Sequence, residues 1–318
     1  CVKYNENLLE NYNQVTVSHK FSNILLREIS SYRDVVLACQ TEHGSALNSV
    51  IALHCLNHVL NCNKIIRKNS KRLSKNQSEI FHDQGFTRPR VLIILPMKSM
   101  VLELVNRIVQ VHGGSTVMNK TRFYSEFHPT QDQIDLVNAR TNLPSDYVSL
   151  FGGNSDDYFR LGIGVTQNTI KLYENFYRSE IIIASPLGLR TLLGSEGDPD
   201  RDFDFLSSVQ IAILSHTNMF MMQNWDHLID TFSHVNLLPT STTYTDFSRI
   251  YEHCSEQQSK YYRQTLLFSD FMFPELNCLA RRFCNNLSGV ATITCNLSSP
   301  PPKICSQTIL SKFSTETH

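Results

Sequence analysis

Residues 38–46, "ACQTEHGSA", close an apolar run and open a helical one, which is where a phosphate-binding loop would stand. Such a loop needs glycines so that backbone N–H groups can wrap the phosphates, a lysine for the terminal ones, and a hydroxyl for magnesium. After Thr41, Glu42 takes the place of the first glycine, Gly44 survives, Ser45 stands where the lysine belongs and Ala46 where the hydroxyl belongs. A second run, "IAILSHTNMF" (211–220), has the form of the strand that presents metal-binding carboxylates, but it ends in Ser215, His216, Thr217 and Asn218. Magnesium is a hard cation that wants carboxylate oxygens, and activating the attacking water also calls on a carboxylate. None of the four residues supplies one. Losing one preorganised electrostatic group costs about 2.7–4 kcal/mol of transition-state stabilisation, so losing lysine, metal ligand and base together leaves little turnover, even without additivity.

Other chemistry is weaker. His54 and His58 share a helix face at the spacing of a zinc site, but Cys55 occupies the place of a metalloprotease glutamate, which favours packing histidines. His216 could act as a base, yet no nucleophile or orienting acid accompanies it, and a histidine on the site rim is expected. No metal and no cofactor are expected.

The elements that must position these residues are legible as short apolar runs: "VVLAC" (35–39), "VLIIL" (91–95), "IIIAS" (181–185), "VQIAIL" (209–214) and "QTLLFS" (264–269). Continuous apolarity without alternation predicts strands covered on both faces, as in a parallel sheet. Helical patterns separate the runs. "SMVLELVNRIVQVH" (99–112) carries an apolar stripe, and "SPLGLRTLLG" (185–194) has Ser185 as cap, Pro186 in the first turn and Gly194 at the stop. Alternating strand and helix predicts a doubly wound α/β sheet with its ligand at the carboxyl ends of the strands. Residues 64–75, "KIIRKNSKRLSK", hold six Lys/Arg and no acid, and are expected to form a solvated basic loop or, alternatively, a phosphate-contacting arm. Residues 115–150 look like an irregular insertion, and "SSPPPK" marks a linker from Asn296.

These motifs carry a resemblance. In order, "ACQTEHGSA" resembles the A-x-T-G-x-G-K-T loop of DEAD-box RNA helicases, "ILPMKSMVLELV" their P-T-R-E-L-A segment and "LFGGNS" their GG motif. "IIIASPLGLRTLL" resembles T-P-G-R, "IAILSHTN" resembles D-E-A-D, and "QTLLFSDF" resembles Q-T-L-L-F-S-A-T. The resemblance implies a first RecA-like domain over 31–295, after a lead-in of 1–30, with 296–318 leading towards a second such domain. It also implies that Pro96, Lys98, Gly152, Gly153, Ser185, Pro186 and Gly188 lie where helicases touch RNA. Ordinary turn and cap chemistry is the alternative for all seven. More specifically, "DQGFTRPRVLIILP", "GGNSDDYFRLGIGV", "ASPLGLRTLLGSEGDPDRDFDFLSS" and "SKYYRQTLLFS" are similar to the digestive organ expansion factor family. That family implies a helicase-like protein without catalytic motifs, located in the nucleolus. It further implies association with small-subunit processome proteins and small nucleolar ribonucleoprotein, with pre-ribosomal RNA as a candidate contact.

Composition is compatible with this. The 29 basic and 29 acidic side chains balance, so any polyanion contact must come from a local patch. Nine cysteines without a C-x-x-C pair suggest reduced thiols, and no stretch approaches a membrane span or a signal peptide. A chain starting at Cys1 is expected to be a fragment. The expected function is a catalytically silent scaffold in ribosome biogenesis and small-subunit rRNA processing. The alternatives are a nucleotide-binding or active ATP-dependent RNA helicase and an ATP-independent RNA-binding module.

Overall fold

The computed structural model describes residues 4–16, 20–40, 44–75, 80–114, 116–138, 145–194, 201–241 and 245–294. Thr41, Glu42 and the linker expected at 296–318 lie outside the described residues. In chain order the elements are α1 (Glu6–Val15), α2 (Lys20–Ser30), β1 (Asp34–Ala38), α3 (Gly44–Leu73), β2 (Val91–Ile94) and α4 (Lys98–His112). Next come β3 (Thr116–Met118), α5 (Lys120–Phe127), α6 (Gln131–Asn138), α7 (Ser145–Phe151), β4 (Arg160–Val165), β5 (Thr169–Leu172) and β6 (Ile181–Ala184). Then follow α8 (Pro186–Leu193), β7 (Ile211–Leu214), α9 (Trp225–His234), α10 (Glu252–Ser255), α11 (Ser259–Tyr262), β8 (Gln264–Ser269), α12 (Pro274–Phe283) and β9 (Val290–Thr294).

The five apolar runs become β1, β2, β6, β7 and β8, each buried along its whole length. They sit together inside one nine-stranded sheet ordered β3-β5-β4-β6-β2-β7-β8-β1-β9. Every pairing is parallel except those of β4, which runs against both β5 and β6. Alternate side chains face two different cores. Val35, Leu37, Ile93, Ile183, Ile213 and Phe268 pack with α1 to α5 on one side, while Val36, Leu92, Ile182, Leu214 and Leu267 pack with α8, α9 and α12 on the other. Double coverage is why these strands read as unbroken apolar runs. The result is a doubly wound α/β, RecA-like sheet, with the helicase-like segments ordered along its carboxyl edge.

Local signals explain the ends of α8. Ser185 accepts the N–H of Gly188 at 3.0 Å, Pro186 fills the first turn, and Gly194 takes φ +59° at the stop. Two expectations need correction. Residues 64–73 are not a loop but the last turns of α3, because no Gly or Pro interrupts 61–75 and Lys and Arg are good helix formers. Residues 116–138 and 145–151 are regular, not irregular. They hold an edge strand and three short helices, and Phe123 and Phe127 of α5 stack at 4.6 Å in the core. Helices of seven or eight residues show too few periods to be seen above a polar background.

Candidate functional site

The carboxyl ends of β1, β7 and β8 meet at one place, and the residue that joins them is Gln40, two positions past β1. Its side-chain amide donates to Ser215 Oγ at 2.6 Å, and its Oε1 accepts the backbone N–H of His216 at 2.8 Å. Its own N–H donates to the Ser269 carbonyl at 2.9 Å, at the end of β8. Gln40 and Ser215 are both buried. Further along, Thr217 Oγ1 donates to the Phe268 carbonyl at 2.8 Å, and Asn218 Nδ2 donates to Asp270 Oδ2 at 2.8 Å. Asn218 Oδ1 in turn accepts from Ser269 Oγ and from the Asp270 N–H, both at 3.3 Å. The neutral quartet therefore has a structural role: short donors and acceptors stitch three parallel strand ends together. Asp270 is a carboxylate nearby, and its Oδ2 is held by Asn218.

His216 sits in this turn at φ +57°, half-buried rather than on an open rim. Its Nδ1 is buried and has no hydrogen-bond partner among the described residues. Burial pushes its pKa down to about 4, partly offset by Asp270, so the imidazole is neutral at pH 7. It is a poor cation and lacks a nucleophile to activate.

On the phosphate-loop side, Gly44 opens α3 into free space and Ala46 is half-buried. Ser45 Oγ accepts from Arg107 Nη2 of α4 at 2.7 Å. The donor set does not fit a magnesium triphosphate. Ser45 supplies no lysine and its hydroxyl is engaged by Arg107, Ala46 has no hydroxyl, Ser215–Asn218 offer no carboxylate, and the gap between β1 and β7 is bridged by an amide.

The residues aligned with RNA-contacting motifs are brought together by the segment 152–159. Lys98 and Ser99 donate their N–H groups to the carbonyls of Asp156 and Asn154 at 3.0 and 2.9 Å, and Ser185 donates its own to Phe159 O at 3.1 Å. Pro96 O accepts from Gln223 Nε2 at 3.1 Å. Lys98 Nζ lies 2.7 Å from Asp156 Oδ2 and 5.7 Å from the centroid of the Phe127 ring, so its charge is already matched. The Ser185 hydroxyl is buried on the Gly188 N–H, and Pro186 and Gly188 are buried as well. A Cβ on Gly188 would stand 2.3 Å from Phe159 O, one on Gly153 would stand 2.6 Å from Ser99 Cβ, and one on Gly152 would stand 2.4 Å from Val148 O. Gly152 and Gly188 are set by close backbone approach and Gly153 by the Ser99 side chain.

Gln40, Asp156 and Asp270 were not singled out by the sequence. Gln40 carried a usable signal, a polar residue directly after a continuous apolar strand; Asp156 and Asp270 gained meaning only from their partners. His54 and His58 resolve as packing residues. His54 Nε2 donates to Gln264 Oε1 at 2.8 Å, and His58 Nε2 donates to Gln210 Oε1 at 2.7 Å while its Nδ1 accepts from Tyr32 at 2.8 Å.

Fold and site together define a RecA-like α/β domain in which neutral side chains tie the carboxyl ends of three strands to one another. Residues 32–291 match the family described as "UTP25, NTP hydrolase-like domain", and the chain belongs to that family. It is 40% identical over 292 residues to U3 small nucleolar RNA-associated protein 25 of Schizosaccharomyces japonicus, covering 91% of this chain and 45% of that protein. It is 38% identical over 277 residues to the Homo sapiens U3 small nucleolar RNA-associated protein 25 homolog, covering 83% of this chain and 36% of that one. The chain thus spans less than half the length of these relatives. A DEAD box protein from Methanococcus jannaschii superposes with a TM-score of 0.45 at 10% identity, covering 92% of this chain and 54% of that one.

Proposed function

We propose that this chain is the RecA-like part of a non-catalytic scaffold in the nucleolar small-subunit processome, acting in ribosome biogenesis and small-subunit rRNA processing. The relatives' association with U3 small nucleolar RNA supports the setting, and the sequence resemblance to the digestive organ expansion factor family points to the same proteins under another name. Its partners are processome proteins and small nucleolar ribonucleoprotein, and residues 31–295 act as one folding unit.

One observation carries the non-catalytic half: Gln40 spends both ends of its amide on Ser215 and His216, where an active enzyme would hold phosphate and metal. The engaged Lys98 and the buried Ser185 favour a structural use of the helicase-like surface over strand translocation. The test has two arms. Tagged full-length protein purified from nuclear extract is expected to carry U3 small nucleolar RNA in large pre-ribosomal particles, and free sedimentation without that RNA overturns the setting. ATP hydrolysis by the purified protein is expected to stay at background with and without RNA. Turnover abolished by Ser215→Ala overturns the scaffold.

A further inference from the structure

By residue 63, α3 has crossed the whole sheet from its carboxyl edge. Asn63 Nδ2 donates to Val165 O at 3.3 Å, and its Oδ1 accepts from Arg90 Nη1 at 3.0 Å, just ahead of β2. His54 and His58 already touch Gln264, which opens β8, and Gln210, which precedes β7. The remaining turns, from Lys64 to Leu73, project past the amino ends of the strands, opposite the helicase-like surface. They are held from one side. Arg249 Nη1 donates to Ser70 Oγ at 2.9 Å, and Asn69 Nδ2 donates to Asp83 Oδ2 at 2.9 Å.

The other side is cationic and open. Lys64, Arg67, Lys68 and Lys71 line a cavity of about 810 Å³ between α3 and the start of α1, walled otherwise mainly by amides such as Asn5, Asn61 and Gln167. Glu6 is the one acid among the described residues lining it. All four cations are exposed, and none forms an ion pair among the described residues. Arg67 also borders a second cavity of about 330 Å³ lined by Arg88 and Arg90, where Arg88 is paired with Glu180 and Arg90 is buried on Asn63, so the unpaired charge there is that of Arg67. Lysines and arginines among amide side chains are what contact phosphate oxygens, whereas a protein interface would want an apolar anchor pocket.

We infer that this end of α3 is a binding surface for the phosphodiester backbone of an RNA strand, separate from the helicase-like face. The inference rests on the function proposed above for its choice of RNA. Because the cations sit on one rigid helix and read no base edges, recognition is of backbone charge and is independent of sequence.

The test is fluorescence anisotropy on the purified chain with a labelled oligouridylate, a labelled RNA duplex and polyglutamate. A variant with Lys64→Gln, Arg67→Gln, Lys68→Gln and Lys71→Gln is expected to lose roughly tenfold or more in affinity for RNA, and its log–log salt slope to fall by about three on the single strand. A charge-matched control with Lys120→Gln, Arg178→Gln, Lys260→Gln and Arg281→Gln, all exposed elsewhere, is expected to bind like the parent. Unchanged melting temperatures establish that both variants fold. Equal weakening by the two variants, or tighter binding of polyglutamate than of either RNA, overturns the inference. Particle association of the variant reports on the processome setting separately, so either can fail alone.

Discussion

Gln40 and Ser215, 175 residues apart in sequence, meet at 2.6 Å in a buried hydrogen bond that joins the ends of β1 and β7. The same amide also satisfies the His216 N–H at 2.8 Å. Truncating it leaves a buried hydroxyl and a backbone N–H without their partner. Gln40→Ala is expected to destabilise the fold by about 2–3 kcal/mol, since each orphaned buried polar group costs about 1–3 kcal/mol. Urea unfolding measures it; a loss below about 0.5 kcal/mol would show that the bond contributes nothing net.

The same bond bears on nucleotide binding. A ligand present at a hundred times its Kd stabilises a protein by about 2.7 kcal/mol, a shift of several degrees in melting temperature for a domain of this size. Millimolar ATP with magnesium is expected to leave the melting curve unmoved, and so is the same addition to Ser45→Lys, because restoring the lysine leaves the Gln40–Ser215 bridge in place. A rise of a few degrees in the parent protein would sink the idea.

Much of this was legible beforehand, for a physical reason. Strands buried on both faces leave unbroken apolar runs, so β1, β2, β6, β7 and β8 could be read directly, and the cap and stop of α8 were written in Ser185, Pro186 and Gly194. The strands towards the two margins could not. β4 contains Gly162 and Gly164, β5 alternates buried and half-buried residues, and β9 is half-exposed, so each lacks the run that marks the central strands. At the site, sequence revealed which charges were missing from Ser215–Asn218 but not what the replacements do. That depends on Gln40, Phe268 and Asp270, which only the fold brings near.

Gly188 separates a packing role from an RNA-contact role. A methyl group there would stand 2.3 Å from the Phe159 carbonyl, and neither α8 nor the end of the 152–159 segment can yield cheaply. Gly188→Ala is expected to cost about 1–3 kcal/mol, as overpacking does. Thermal melting is the measurement. A fully stable variant would mean that the glycine is kept for something other than this contact.

Acid should unfold the protein earlier than its balanced charge suggests. Burial lowers the pKa of His54 to about 4 and of His58 to about 3, so below about pH 6.5 the unfolded chain takes up protons that the folded one refuses. At pH 5 that costs about 2 kcal/mol for each histidine. Asp34 acts in the opposite sense. Burial raises its pKa to about 6, so the folded state holds that proton more tightly and returns about 1 kcal/mol at pH 5. His216, held down to about 4 in the same way, adds a third such cost, and the net expectation is a loss of roughly 4–5 kcal/mol between pH 7.5 and pH 5, read from urea midpoints, with a steeper fall in Asp34→Asn, where the compensation is gone. A flat profile in both proteins would overturn this assignment.

Asp83 and Arg249 form the ion pair that holds the projecting end of α3. Arg249 donates through Nε at 2.9 Å and through Nη2 at 2.7 Å to the two carboxylate oxygens, and both side chains are buried. The fork geometry makes the pair specific, and removing one member strands the other in a low-dielectric setting, which costs about 3–5 kcal/mol. Arg249→Met should therefore destabilise the protein by about that amount, whereas the paired exchange Asp83→Leu/Arg249→Met should recover much of it, because no uncompensated charge remains. If the function of the pair is to orient the cationic face, the double variant will regain stability and still bind RNA more weakly than the parent. Recovery of both stability and affinity would mean that the helix end needs no such anchor.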